Sequence, residues 1–190
     1  MRRIGQLGAV VFWCCLALGV SGAGAQDASE GAAPPEADPW EPLRLLEGSW
    51  KGAIDGRLGQ GVGKRRYEFL FGGLYLVARH TSVRPPQEKS PSGDHHRELA
   101  VYSFDRERKT IVLREFIGEG YVLRYACDVT PTRLVCTTEN VESGSGMKAR
   151  LTIEVADRFR FRETFELASA GQELEVYFTN AWTRIPDLAD

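Results

Sequence analysis

LTIEVADRFRFRETFEL, residues 151–167, is the stretch from which the fold is read. Leu151, Ile153 and Val155 alternate with Thr152 and Glu154. Phe159, Phe161, Phe165 and Leu167 then alternate with Arg158, Arg160, Arg162, Thr164 and Glu166. A period of two puts one set on a buried face and the other in water, the mark of antiparallel strands with one wet side. Glu163 breaks the pattern. It shares the phase of Phe161 and Phe165, so its carboxylate faces the interior and needs a partner there.

Working outward, the same alternation predicts strands over 51–55, 65–71, 74–83, 99–104, 110–117, 121–129, 134–140 and 174–184. Gly72-Gly73, the charged run 105–109 and the Ser-Gly run 143–146 read as turns. The polar stretch 84–97, with Pro85, Pro86, Pro91 and Gly93, reads as a loop. Residues 59–64, GQGVGK, read as a flexible hairpin loop. A phosphate-binding loop is excluded there, because Leu58 stands where its first glycine belongs, Arg65 replaces the Ser or Thr, and a strand follows.

About ten short strands and no helical stripe predict an all-β chain, an antiparallel up-and-down barrel whose closure removes the exposed edges. A short helical turn over 42–46, begun by Pro42 and followed by Gly48, closes one end. Ten strands enclose slightly more room than the eight that side chains just fill, so an interior cavity is expected.

The chain before this domain reads as an export leader and a tether. Arg2 and Arg3 precede an apolar run over 7–20, and Ala23-Gly24-Ala25 supplies the small residues of a cleavage site. The expected order is a signal peptide over 1–25, a disordered tether over 26–39, the barrel over 40–186 and a tail over 187–190. The expected location is periplasmic or extracellular. The apolar run is short of the ~20 residues that span a bilayer, so no stable membrane insertion is expected after cleavage.

Of four cysteines, Cys14 and Cys15 fall in the leader, leaving Cys127 and Cys136. A two-residue turn centred on Pro131 and Thr132 sets these two directly opposite one another, at a pair where side chains lie closest. In an exported protein that spacing predicts a disulfide, with two free buried thiols as the alternative. The 24 basic and 26 acidic residues give a net charge of −2. Without Arg2 and Arg3 the count is 22 against 26, or −4. Such a balance excludes the basic face that nucleic-acid binding needs.

Candidate interior groups follow from strand phase. Arg114 shares the phase of Val112 and Phe116, and Arg124 alternates with Tyr121, Leu123 and Tyr125. Either arginine paired with Glu163 would hold the head group of an amphipathic ligand. Tyr121 and Tyr125 are the acid–base partners of Glu163 in an enzymatic alternative. Phe161 and His80, the latter in phase with Leu74, Leu76 and Ala78, complete the ligand set. There is no Gly-x-Ser-x-Gly, no plausible Ser–His–Asp set and no paired carboxylates at a defensible spacing, so no catalytic residue is assigned. His95 and His96 beside Asp94 are placed on the polar loop. Adjacent histidines rarely converge on one ion, so no metal is expected.

Gly48-Ser49-Trp50, after a helical turn and at the start of the first strand, resembles the Gly-x-Trp of the calycin superfamily, which includes lipocalins, fatty-acid-binding proteins and nitrobindin-like barrels. The runs Arg84-Pro85-Pro86-Gln87-Glu88-Lys89, Tyr102 to Lys109, Val112 to Phe116 and Glu119-Gly120-Tyr121-Val122 are similar to bacterial barrels of the fatty-acid-binding and nitrobindin-like type with no assigned activity. The resemblance spans about 40–185. It implies a ten-stranded barrel in which Arg184 stacks on Trp50 beside Gly48, all three structural. Nitrobindin-like proteins hold haem through a histidine late in the domain. Here no histidine follows residue 96, so no cofactor is expected, and haem on His80 is the lesser alternative. The function expected is non-enzymatic binding of a small apolar or amphipathic molecule. The alternatives are a cavity enzyme and a filled barrel acting through its 84–97 loop.

Overall fold

The structure, a computed structural model, describes residues 38–142 and 146–187. The signal peptide, residues 26–37 of the tether, 143–145 of the Ser-Gly turn and 188–190 of the tail lie outside the described residues.

A 3-10 turn, Glu41–Leu46, leads into ten strands. They are β1 Gly48–Gly56, β2 Gly59–Leu70, β3 Tyr75–Arg84, β4 Asp94–Asp105, β5 Thr110–Ile117, β6 Val122–Thr130, β7 Arg133–Glu142, β8 Lys148–Asp157, β9 Arg160–Ala168 and β10 Glu175–Ile185. Each pairs antiparallel with the next, and β1 also pairs with β10, so the meander closes into a barrel. The expected architecture is the one found.

One end is closed by the 3-10 turn, which buries Trp40, Leu43 and Leu46. Trp50 fastens it: the indole Nε1–H donates to the Leu46 carbonyl at 2.7 Å. Arg184 stacks on the Trp50 ring, its guanidinium carbon 4.3 Å from the centroid. The same guanidinium donates to the carbonyls of Leu45 (2.6 Å), Arg158 (2.7 Å) and Glu47. Gly48 has φ +110°, and a Cβ there would sit 2.5 Å from Arg184 Nη1. Both the backbone and the space therefore require glycine. Above this plug, Phe161 meets Trp50 edge-on at 4.7 Å and stacks on Trp182 at 5.8 Å. Phe161 is thus core of the filled half and is not in the lining of the main cavity, contrary to its expected ligand role.

Cys127 faces Cys136 across β6 and β7, with Cα atoms 4.0 Å apart, and the two form a disulfide. The turn between them is the two-residue one expected, since Thr130 pairs with Arg133.

Two expected boundaries and one expected strand phase are corrected. Residues 59–64 are not a loop but the first half of β2. Their glycines are small inward positions. A Cβ on Gly61 would lie 2.6 Å from the Val83 carbonyl, and one on Gly63 would press on Trp182, Ile54 and His80. Residues 94–97 are likewise strand, opening β4, so the polar loop is 85–93 and the two histidines leave it. A register shift between Val176 and Phe178 leaves Val176 exposed, although strand phase had grouped it with Phe178.

Candidate functional site

A cavity of about 310 Å³ fills the half of the barrel away from the plug. It reaches the open end, because its walls include Leu58 in the β1–β2 turn and Glu119 and Tyr121 in the β5–β6 turn. Its wall is two-sided. Strands β2 to β5 contribute Arg65, His80, Ser82, Arg84, Glu98 and Glu115, whereas β6, β8, β9, β10 and β1 contribute mainly Leu123, Leu151, Phe165, Leu167, Phe178 and Ile54.

The floor is an ion pair. Glu163 faces inward as its phase predicts and is fully buried. Its partner is Arg65 of β2, which binds both carboxylate oxygens, through Nη1 to Oε2 and through Nη2 to Oε1 at 3.3 Å. Asn180 Nδ2 donates to Glu163 Oε1 at 3.0 Å, and Arg65 Nη1 donates to the Tyr67 hydroxyl at 3.2 Å. The Arg65 guanidinium lies 4.8 Å over the Trp182 ring. Burial and the Glu163 charge push the Tyr67 phenol up to about 12 against the pull of Arg65.

Neither expected arginine takes part. Arg114 lies on the outer face with exposed Phe116 and donates to Ser103 Oγ at 3.2 Å. Arg124 is also outside, 3.5 Å from Glu139 at the irregularity in β7. The inward residues of β5 are Ile111, Leu113, Glu115 and Ile117, the opposite phase to the one expected. Tyr121 stands at the mouth, 40% exposed. Tyr125 is buried beneath the cavity and donates to Glu115 Oε2 at 2.5 Å, so it serves Glu115 and not Glu163.

His80 points inward as expected. Arginine has no acceptor, so Arg65 Nη2 donates to His80 Nδ1 at 3.0 Å and the imidazole proton sits on Nε2. Burial, and then the Arg65 charge, hold His80 below its ordinary range. Its Nε2 is buried without a partner, facing the gap at Gly63 between Ile54 and Trp182. A Cβ on Gly63 would already lie within 3.0–3.2 Å of Trp182, Ile54 and Nε2, which leaves no room for a porphyrin, so the residues do not fit haem ligated through Nε2.

Arg65, Glu98 and Glu115 went unseen in the sequence, and His96 was placed on the polar loop. Glu98 lies between His80 and His96. Burial opposes its ionisation, but the flanking His80 and His96 and the Arg65 charge hold it well below the usual carboxylate range. His96 also contacts Glu119 Oε1 through Nδ1 at 3.1 Å. Hydrogen bonding to Glu98, and then to Glu119, raises it to about 9 in spite of burial. Its neighbour His95 points outward and is exposed. For Glu115, burial and then the charge on Glu98 push the carboxyl up to about 8.

These two raised groups set the pH dependence of stability. Glu115 binds a proton in the folded barrel that an unfolded chain releases near 4.5, so its contribution is lost as pH rises from there through about 8. His96 acts in the same direction between its ordinary 6.5 and about 9. His80, held below its ordinary 6.5, acts in the opposite direction below that pH, so the urea midpoint of the wild type should fall between pH 6.5 and 9. Glu115→Gln cannot ionise and still accepts from Tyr125, so it should flatten the part below pH 8. An unchanged slope in that variant would contradict a protonated Glu115.

No protein-family model matches the chain, and no curated protein matches it. Among solved structures, Rv2717c from M. tuberculosis is similar with a TM-score of 0.59 at 14% identity, over 78% of this chain and 98% of that one. That likeness shows a shared barrel fold. A second structure, EF1p2_mFAP2b bound to DFHBI, is 15% identical over 78% of this chain and 100% of that one, with a TM-score of 0.33.

Proposed function

We propose that this barrel is an exported, non-enzymatic carrier of a small amphipathic molecule held inside the cavity. The observation that carries the reading is the two-sided wall of a 310 Å³ space that reaches the end of the barrel away from the plug. That volume stands at the low end of small-molecule sites, about 300–1,000 Å³. At about 30 Å³ per water it equals roughly ten waters, which sets the size of the guest. The apolar part of the guest lies against Leu123, Leu151, Phe165 and Phe178. Its polar part lies toward Glu115, Glu98 and Ser82.

Glu163 is not the head-group binder expected from strand phase, because Arg65 and Asn180 already engage it. Glu115 takes that place. One oxygen is held by Tyr125, and the raised carboxyl offers a proton to a neutral acceptor on the guest. Export rests on the leader over 1–25 and agrees with a disulfide between Cys127 and Cys136.

Native mass spectrometry of protein purified from an exporting host, with 1-anilinonaphthalene-8-sulfonate as a solution probe, tests the reading. The expected result is a discrete added mass lost on denaturation, and saturable probe binding. Ile117→Trp, which places an indole in the mouth, should weaken the probe by tenfold or more. If the wild type binds no probe, or if the Ile117→Trp variant binds it equally well, the cavity is not the site.

A further inference from the structure

Three side chains of the polar wall converge more closely than capture of an organic guest requires. In the β3–β4 register His80 stands opposite Glu98, and Ser82 stands opposite His96. All three of His80, His96 and Glu98 therefore face the cavity from neighbouring positions. Glu98 Oε2 lies 3.5 Å from His80 Nδ1 and 3.7 Å from His96 Nε2. One donor atom from each of the three lies within 4.8 Å of the other two. Two ligands bound to tetrahedral zinc at 2.0–2.1 Å stand about 3.3 Å apart. The two Glu98 separations close onto an ion with shifts of a few tenths of an ångström. The histidine pair closes by at most about 1.5 Å on the same geometry.

The surroundings orient the donors. His96 Nδ1 faces Glu119, so the ring keeps its proton there while an ion takes the place of the Nε2 proton directed at Glu98. A carboxylate behind a histidine in this way is the usual outer partner of a metal ligand. His80 already carries its proton on Nε2 and turns the Nδ1 lone pair toward Glu98 and Arg65. Arg65 Nη2 bonds to Nδ1 and lies 4.0 Å from Glu98 Oε1, and these are the contacts an ion must displace. Arg65 then keeps Glu163 and Tyr67.

We infer that His80 Nδ1, His96 Nε2 and Glu98 Oε2 form a binding site for a borderline divalent transition-metal ion of the Zn²⁺ type, with its remaining coordination position open to the cavity. Two imidazoles and one carboxylate suit such an ion better than Ca²⁺ or Mg²⁺, which take all-oxygen shells. The site needs only these three side chains and no organic guest. Its failure and that of the carrier reading are therefore separable, since the first is read by metal uptake and the second by probe binding.

The test is titration of untagged, metal-stripped protein with Co²⁺, followed by its visible absorption, then displacement by Zn²⁺. The expected result is saturable uptake of one ion per chain. It is abolished in Glu98→Gln and His96→Ala, and weakened about tenfold or more in Glu119→Gln, the range for loss of an outer partner. Glu119 lies at the mouth, half exposed, so that variant keeps the fold. In the wild type, substoichiometric Co²⁺ should perturb the amide signals of β3 and β4 around residues 80 and 96–98 before any others. No saturable uptake overturns the inference. So does uptake that survives the double change His80→Ala and His96→Ala, or that perturbs other strands first.

Discussion

Arg65→Met is expected to lower the stability of the barrel by about 3–5 kcal/mol, the cost of leaving one member of a buried ion pair without its partner. Glu163 is fully buried, and Arg65 is 5% exposed. Removing the guanidinium leaves the carboxylate with the Asn180 amide as its remaining hydrogen-bond donor. Urea unfolding at neutral pH reads the effect. With a slope of about 2 kcal/mol/M, the midpoint should drop by about 2 M. The pair itself adds little net stability, because both charges were taken out of water to form it. The double change Arg65→Met with Glu163→Leu should therefore return to within about 1 kcal/mol of the wild type. A loss under about 1 kcal/mol for the single change would mean that water reaches the pair. Failure of the double change to recover would mean that Asn180, His80 and Tyr67 depend on the charges more than on the space they fill.

Trp50→Ala should cost a comparable ~3–5 kcal/mol, by a different route. It removes a side chain that is 1% exposed and that packs on Phe161. It also orphans the Leu46 carbonyl and takes away the ring on which Arg184 rests. Trp50→Phe should recover most of the packing but not the hydrogen bond, leaving a deficit of about 1–2 kcal/mol. The cavity lies at the other end and does not include Trp50. Folded Trp50→Phe protein should therefore bind the fluorescent probe as the wild type does. Weakened probe binding would show that the two halves of the barrel are coupled, and a small effect of Trp50→Ala would show that the plug is not what closes that end.

How far the sequence carried the structure depended on how cleanly each strand alternates. Glu163 was legible because the residues around it keep strict phase from Phe161 to Leu167. In β5 the phase was illegible, since Ile111, Val112 and Leu113 are all buried. Arg114 was therefore turned inward and Glu115 outward, the reverse of what the barrel holds. Arg65 was missed for another reason. The glycines before it resemble a loop, but here they are strand positions kept small so that Trp182, His80 and Arg84 fit. Closure then brings β2 across the interior to β9, a pairing that no local pattern contains. The cluster of His80, His96 and Glu98 has the same origin. His95 and His96 look like a pair in the sequence, but adjacent strand residues face opposite ways, and the true neighbours come from the register of β3 on β4.

The closing seam between β1 and β10 also fixes the order of events as the barrel assembles. Nine of its ten strand contacts join neighbours along the chain, and each hairpin can form as soon as its second strand exists. The tenth waits. Arg184 reaches the Glu47 carbonyl across 137 residues, so the first strand made keeps a bare edge until the last one arrives. During that interval the nascent chain is an open sheet, the form in which an edge recruits a foreign strand. Errors of assembly will therefore concentrate at β1, and a docked Arg184 reports that the ring has closed.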